Sequence, residues 1–469
     1  MPEAPSRFAD ELGLVARTLS ETALYPFRRR LRLGVTGLAR SGKTLFITAL
    51  VNALTSGARL PGFGPVAEGR LLGASLVEQP HAGLPRFAFE EHRRALTGAE
   101  PHWPQSTRSI SELSLLLRYR SKGLGTPTRE LTLDIVGYPG EWLLDLSLLG
   151  LDYRGWSDKV LAVARKDTRA PGFLSADPTR PADPEADAAV AQSFRDWLIY
   201  GRTDPHRALG LTPGRFLLPG DMEGSPALTF APLAPPRGTS DRRSVHALFE
   251  RRFEAYKRLV VRPFFREHFA RLDRQIVIAD PLFALASGPV ATAALADTLT
   301  EVLAAFRTGE ANPLTRLVTR RIDRILFAAS KADHIHSSSH ERLEAILNAL
   351  VANAARRVRF SGAATRSLAL ASVRATREST LQTADGPHEV IVGTPEVGER
   401  LGELVYDGRT EIALFPGDLP DDPQAALIGT APPVAFLRFR PPPLASGTGD
   451  LPFIRLDRAL DWLIGDWMK

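Results

Sequence analysis

Residues 37–44 read Gly-Leu-Ala-Arg-Ser-Gly-Lys-Thr. They lie between an apolar run ending at Thr36 and the apolar stretch LFITALVNAL that starts at Leu45. The octet fits G-x-x-x-x-G-K-[ST], which works only as a loop between a strand and a helix N-terminus. Gly37 and Gly42 permit the tight turns. The backbone N–H groups of Ala39, Arg40, Ser41, Gly42, Lys43, Thr44 and Leu45 then ring a phosphate at the positive end of the helix dipole. In such a loop Lys43 bridges the β- and γ-phosphates and the Thr44 hydroxyl ligates Mg²⁺. One short stretch therefore commits the chain to an α/β fold around a strand–loop–helix unit.

Composition narrows the class. The 469 residues carry a net charge of +6, 44% hydrophobic residues and no cysteine. That excludes disulfides, thiolate catalysis and cysteine metal sites, and it fits a cytoplasmic protein. The N-terminus has no signal-like apolar core, and no apolar run is long enough to span a bilayer. Only seven of the 59 basic residues are lysines, so the arginine excess reflects a general bias more than a nucleic-acid surface. Two of those lysines, Lys43 and Lys331, fall inside motifs.

Along the chain, 8–30 has the spacing of an amphipathic helix ending in Arg28, Arg29 and Arg30. Strand patterns cover 31–36, 113–120 and 129–137, with a hairpin turn between the last two. The stretch 141–272 is dominated by helical periodicity. Strand–helix alternation resumes with QIVIAD at 275, RILFAAS at 324 and RSLALASV at 366, which implies parallel pairing. The expected organisation is 1–137 as an N-terminal helix and the first part of a nucleotide domain, and 138–274 as a helical insertion. Residues 275–469 would then be the second part, with a strand-and-loop extension and a closing helix. The helix at 244–272 interleaves arginines with Phe253, Tyr256, Phe264 and Phe265. A solvated face over an aromatic core is expected there, and nucleic acid is not an expected partner.

Three further segments follow the octet in order. Asp134-Ile135-Val136-Gly137 has the D-x-x-G form in which the Asp steadies Mg²⁺ through water and the Gly N–H meets the γ-phosphate. Ser330-Lys331-Ala332-Asp333 resembles the guanine-specificity motif [NT]-K-x-D, with Ser in place of Asn or Thr. Its Asp accepts from guanine N1–H and the 2-amino group, a donor pair that adenine lacks. Ala371-Ser372-Val373, at the end of the next strand, resembles by its order alone the S-A-K loop whose backbone contacts the guanine oxygen. A switch Thr that reaches Mg²⁺ must precede strand 113–120. Thr107 is the choice, with Ser106, Ser109 and Thr97 as rivals, and Arg108 beside it is a candidate arginine finger.

In this order the elements resemble the G domain of Ras-like GTPases, a P-loop NTPase fold with a mostly parallel sheet. Here it is interrupted by a mostly helical insertion domain. Pro139-Gly140-Glu141-Trp142, F-P-G-x-L-P at Phe415 to Pro420, and Arg438-Phe439-Arg440-Pro441 extend the likeness. Over nearly its whole length the chain resembles the YcjX-like family of bacterial stress-associated P-loop GTPases. The resemblance implies GTP/GDP and Mg²⁺ as cofactors, a stress-linked switch, an unidentified protein effector and peripheral contact with the inner membrane. Tyr138 follows the D-x-x-G glycine, where many Ras-like proteins carry the Gln that orients water. Slow GTP hydrolysis is therefore expected, with Glu141 or Arg108 as candidate helpers; the alternative for Tyr138 is a packing role against the helical insertion. An ATPase, or a membrane-associated interaction protein with structural nucleotide, are the alternatives.

Overall fold

The strand before the octet forms β1 (Arg29–Gly37), whose alternation places Leu31, Leu33 and Val35 in the core with no exposure. It is the middle of a seven-stranded sheet. The others are β2 (Leu71–Val77), β3 (Ser111–Arg120), β4 (Thr128–Gly137), β5 (Arg274–Ala279), β6 (Arg324–Ala329) and β7 (Ala364–Ala369). Their order is β2-β3-β4-β1-β5-β6-β7. β4, β1, β5, β6 and β7 pair in parallel, and β3 joins β4 and β2 antiparallel. β1, β4 and β5 are buried nearly throughout, as a parallel sheet covered on both faces requires.

This computed structural model describes residues 29–469. It omits 38–39, 82, 106–108, 124–126, 168–171, 204–212, 217–218, 220–221, 237–240, 268–270, 305–321, 361–362, 384–385, 432 and 445–449. Among the described residues the packing separates two units. One carries the sheet and holds 29–139, 271–293 and 322–469. The other holds 140–267 and 294–304.

In chain order the main helices are α1 (Lys43–Ser56) and α2 (Phe89–Thr97) in the sheet unit, then α3 (Tyr153–Ala164), α4 (Pro184–Thr203) and α5 (Val245–Tyr256) in the second. α6 (Pro281–Ala286), α7 (His340–Phe360) and α8 (Leu456–Ile464) return to the sheet unit. Phe46, Leu50 and Leu54 of α1 share one core with Leu456, Leu460 and Leu463 of α8. The closing helix thus packs against β6 and completes the core that β1 begins. Asp457 and Asp461 also accept the Gly62 and Gly64 N–H groups, at 2.7 and 3.0 Å.

The second unit, helical over most of its described length, is organised around Trp156. Phe253 stacks on it at 5.0 Å, and Phe194 and Phe230 meet it edge-on. In α5 and the turns after it, Phe253 and Tyr256 point inward while Arg251, Arg258 and Arg262 are exposed, the solvated basic face expected from the sequence.

β2 was not legible, because Leu71–Val77 is an edge strand with half its residues exposed. The amphipathic helix expected at 8–30 lies outside the described residues up to 28. Arg29 and Arg30 begin β1 and do not end a helix. A small antiparallel sheet of β8 (Arg377–Thr383), β9 (Gly386–Gly393) and Ile412–Leu414 fills part of the C-terminal extension. Among the described residues no helix is long and apolar enough to cross a membrane. Leu463 has no exposure. Leu463→Ala is expected to cost about 2–5 kcal/mol in equilibrium urea unfolding, because a cavity opens in the core of the sheet unit.

Candidate functional site

The C-terminal ends of β1, β5, β6 and β7 share one edge of the sheet, the place where open α/β folds bind ligands. At β1 the octet makes its turn. A Cβ on Gly37 would sit 2.3 Å from Ser41 Oγ and 2.5 Å from the Ile278 carbonyl, so only glycine fits. Arg40 and Gly42 take left-handed backbone, with φ of 63° and 97°. Gly42 caps α1 without a side-chain hydrogen bond, and the first turn holds no acidic residue. Ser41 Oγ is buried with no protein partner. Lys43 Nζ donates to the Gly37 carbonyl at 3.2 Å, lying back across the loop. Thr44 is buried at the helix start, and Leu45 packs against the core. An uncapped helix start, a left-handed loop and an orphaned hydroxyl fit a phosphate group. Ala39 lies outside the described residues.

The segment Ser330–Asp333, expected from the sequence to recognise a base, stands at the end of β6. Ser330 donates both its N–H and its hydroxyl to the Ala279 carbonyl of β5, at 2.8 and 2.9 Å. The short reach of Ser in place of Asn is thus used to tie two strand ends together. Lys331 has φ of 61°, and its ammonium pairs with Asp280 at 2.5 Å and lies 4.8 Å from the Phe436 ring centroid. Asp333 is buried and accepts the Ala375 N–H at 2.7 Å, and its carbonyl takes the Thr376 hydroxyl. Burial pushes its carboxyl up to about 6, opposed by the Ala375 N–H. Ala332 N–H reaches the Leu370 carbonyl, which brings the loop of Ser372 and Val373 beside the Asp333 segment. Val373 is buried and Ser372 partly exposed. These contacts fit the base of a nucleotide: an anionic acceptor, a lysine stem and a backbone loop on one edge.

Asp134 does not join them. The parallel register sets it opposite Arg32, five residues or about 16 Å before Gly37 along the strand. There it accepts the Ser114 hydroxyl at 2.6 Å and pairs with Arg30 at 2.9 Å, with no exposure. Its assignment to Mg²⁺ is corrected: the carboxylate is structural, and burial raises its pKa against the pull of Arg30. The same register sets Gly137 opposite Val35, at the loop end of the strand. The residue that the register brings to the loop end of β4 is thus Gly137, which carries no carboxylate. A Cβ at 137 would point at Ile47 Cδ1, 2.8 Å away, and lie 3.6 Å from the buried, unpartnered Ser111 Oγ. Tyr138 is not a substitute for the water-orienting Gln. It is buried, donating its N–H to the Val35 carbonyl and its hydroxyl to Gln275 Oε1 at 2.5 Å. Among the described residues, the donor set for a carboxylate-anchored Mg²⁺ does not fit. Thr107, Arg108 and their rival Ser106 lie outside the described residues, as does the side chain of Glu141.

Sequence reasoning missed Asp280 and Phe436. The acid was visible at the end of QIVIAD, but its use depends on Lys331, 51 residues away. Phe436 carries no local signal at all. Of the nearby histidines, His334 packs on Phe436 and Phe439, and burial drives it down to about 3. His340 bonds the Ala332 carbonyl, and the described residues hold no metal cluster.

The YcjX-like family, DUF463, matches residues 31–468. A protein of Escherichia coli strain K12 named Ras-like GTPase YcjX is 37% identical over 462 residues, 94% of this chain and 96% of that one. Its namesake from Shewanella oneidensis MR-1 is 34% identical over 472 residues, 94% and 95% of the two chains.

Asp134→Asn leaves Arg30, which keeps a third of its side chain in water, without its partner. A loss of about 1–3 kcal/mol is expected in denaturant unfolding, at the low end for a broken buried pair. A metal ligand replaced in the apo protein would leave the unfolding curve in place or shift it to higher denaturant.

Proposed function

The chain belongs to the YcjX-like family, and from that we propose that it binds GTP and GDP and hydrolyses GTP slowly, as a stress-linked conformational switch. The observation that supports this most is the pairing, on one sheet edge, of the Gly37–Leu45 loop with the Asp333 segment two strands away. The loop and Lys43 take the phosphates, and Asp333 selects guanine. Its buried acceptor finds two donors on guanine and none on adenine, so the ATPase alternative leaves a charge without a partner. The names of the two relatives agree with this reading. Slow turnover follows from the strand end at Gly137, which offers no carboxylate. The switch role and a membrane-side partner rest on the family resemblance.

Fluorescent GDP, GTP, ADP and ATP titrated into nucleotide-stripped protein test the reading. Guanine selectivity is expected, with Lys43→Ala abolishing binding of both guanine nucleotides. Asp333→Asn is expected to move preference to xanthine nucleotides. Equal binding of adenine and guanine would leave the loop as a phosphate site and remove the GTPase reading.

The raised pKa of Asp333 adds a pH signature. The free protein holds this group ionised above about 6 and protonated below it, and only the ionised form accepts both guanine donors. GDP affinity is therefore expected to be full at neutral pH and to fall about tenfold per unit as pH drops below about 6. ADP affinity measured alongside should stay level across the same range.

A further inference from the structure

Resting on the reading of residues 37–45 as a nucleotide loop, we propose that this chain meets the phosphate charge with fixed protein cations, Arg40 foremost. A divalent ion anchored by a protein carboxylate does not do so. Mg²⁺ in nucleotide sites is usually held through one or two carboxylates together with the phosphates. Among the described side chains, each carboxylate near this edge of the sheet is committed elsewhere, and that of Glu141 is not among them. Asp134 is tied to Ser114 and Arg30, well behind the loop. Glu112, opposite Val136, is fully buried and bonded to Arg32 at 3.3 Å and His81 at 3.0 Å. Asp280, two residues past the partner of Gly37, caps α6 by accepting the Phe283 N–H and pairs with Lys331. What the described residues otherwise place beside the loop is neutral: the hydroxyls of Ser41 and Ser111, which have no protein partner, and the hydroxyl of Thr44.

The cations are placed differently. Arg40 lies inside the loop, on left-handed backbone, exposed, and without a carboxylate partner among the described residues. A non-glycine residue in that conformation is uncommon. The exposed guanidinium thus belongs to the loop itself, on the residue before Ser41, whose buried hydroxyl has no protein partner. Arginine suits this task because its planar fork pairs two phosphate oxygens at once and never loses its charge. Lys43 supplies the second cation from α1.

The test uses the full chain and fluorescent GDP, with saturating Mg²⁺ or with EDTA. Wild-type affinity is expected to agree within about threefold between the two conditions. Arg40→Gly removes the charge while relieving the backbone, and it should weaken binding in EDTA by about tenfold. Asp134→Asn should leave the response to Mg²⁺ unchanged. Gly137→Asp places a carboxylate at the strand end and should make binding Mg²⁺-dependent by about tenfold or more. Its Cβ crowds the far end of Ile47 and lies at ordinary contact distance from Ser111, and a thermal melt shows whether it folds. If it does not, the Arg40→Gly and Asp134→Asn results decide. A wild type that loses about thirtyfold or more in EDTA, or an Arg40→Gly protein that binds as tightly as wild type, overturns the inference while the nucleotide loop stands. No binding of any nucleotide under either condition would remove the loop reading and the inference with it.

Discussion

The register of β1 against β4 and β5 decides what every other residue at the loop edge can do. In a parallel pair a side chain's height along the strand is fixed by its partner, and a shift of three residues moves it about 10 Å. Asp134 opposite Arg32 is a core residue, and Gly137 opposite Val35 is a residue of the loop edge. On the other flank Gly37 faces Ile278, which carries Asp280 past the strand end to meet Lys331. The chemistry of the edge follows from these pairings more than from the identity of any one motif.

Behind the loop edge the same strands hold a set of buried charges that stabilises the register. Arg30 binds Asp134, and Arg32 binds Glu112 through its guanidinium and Asp273 through its N–H. His81 closes on Glu112 from outside β3. A slip of one residue would turn each of these side chains to the opposite face and leave several buried charges without partners. Specificity of pairing is thus a role for the acid that resembled a metal ligand.

The central fold was legible because its signals are local. A G-x-x-x-x-G-K-T between an apolar run and an apolar helix permits few structures, and β1, β4, β5, β6 and α1 were read to within a few residues. Asp134 was misplaced for a physical reason. Its segment carries an acid at 134 and glycines at 137 and 140. Nothing within the segment says which of these residues the neighbouring strand will bring to the loop edge. The Lys331–Asp280 pair and the Phe436 ring over Lys331 depend on chain segments 51 and 105 residues from Lys331, so no window of local sequence contains them. Ser330 was read as a shortened Asn. Its hydroxyl bond to the Ala279 carbonyl shows that a short side chain suffices when the acceptor belongs to the adjacent strand.

Two aspartates on the same edge show how environment divides one chemistry into two roles. Asp280 lies against the Lys331 ammonium and the first turn of α6, and its charge is consumed by both. Asp333 is deeper and takes the Ala375 N–H, and burial holds its carboxyl near 6, so it is ionised at neutral pH and retains acceptor capacity. Asp280 pairs with Lys331, so the cations that the described residues place at the loop are Arg40 and Lys43, while the carboxylate with acceptor capacity two strands away is Asp333. A ligand matched to that edge is anionic at one end and a paired donor at the other, and the separation is set by β5 and the spacing of parallel strands.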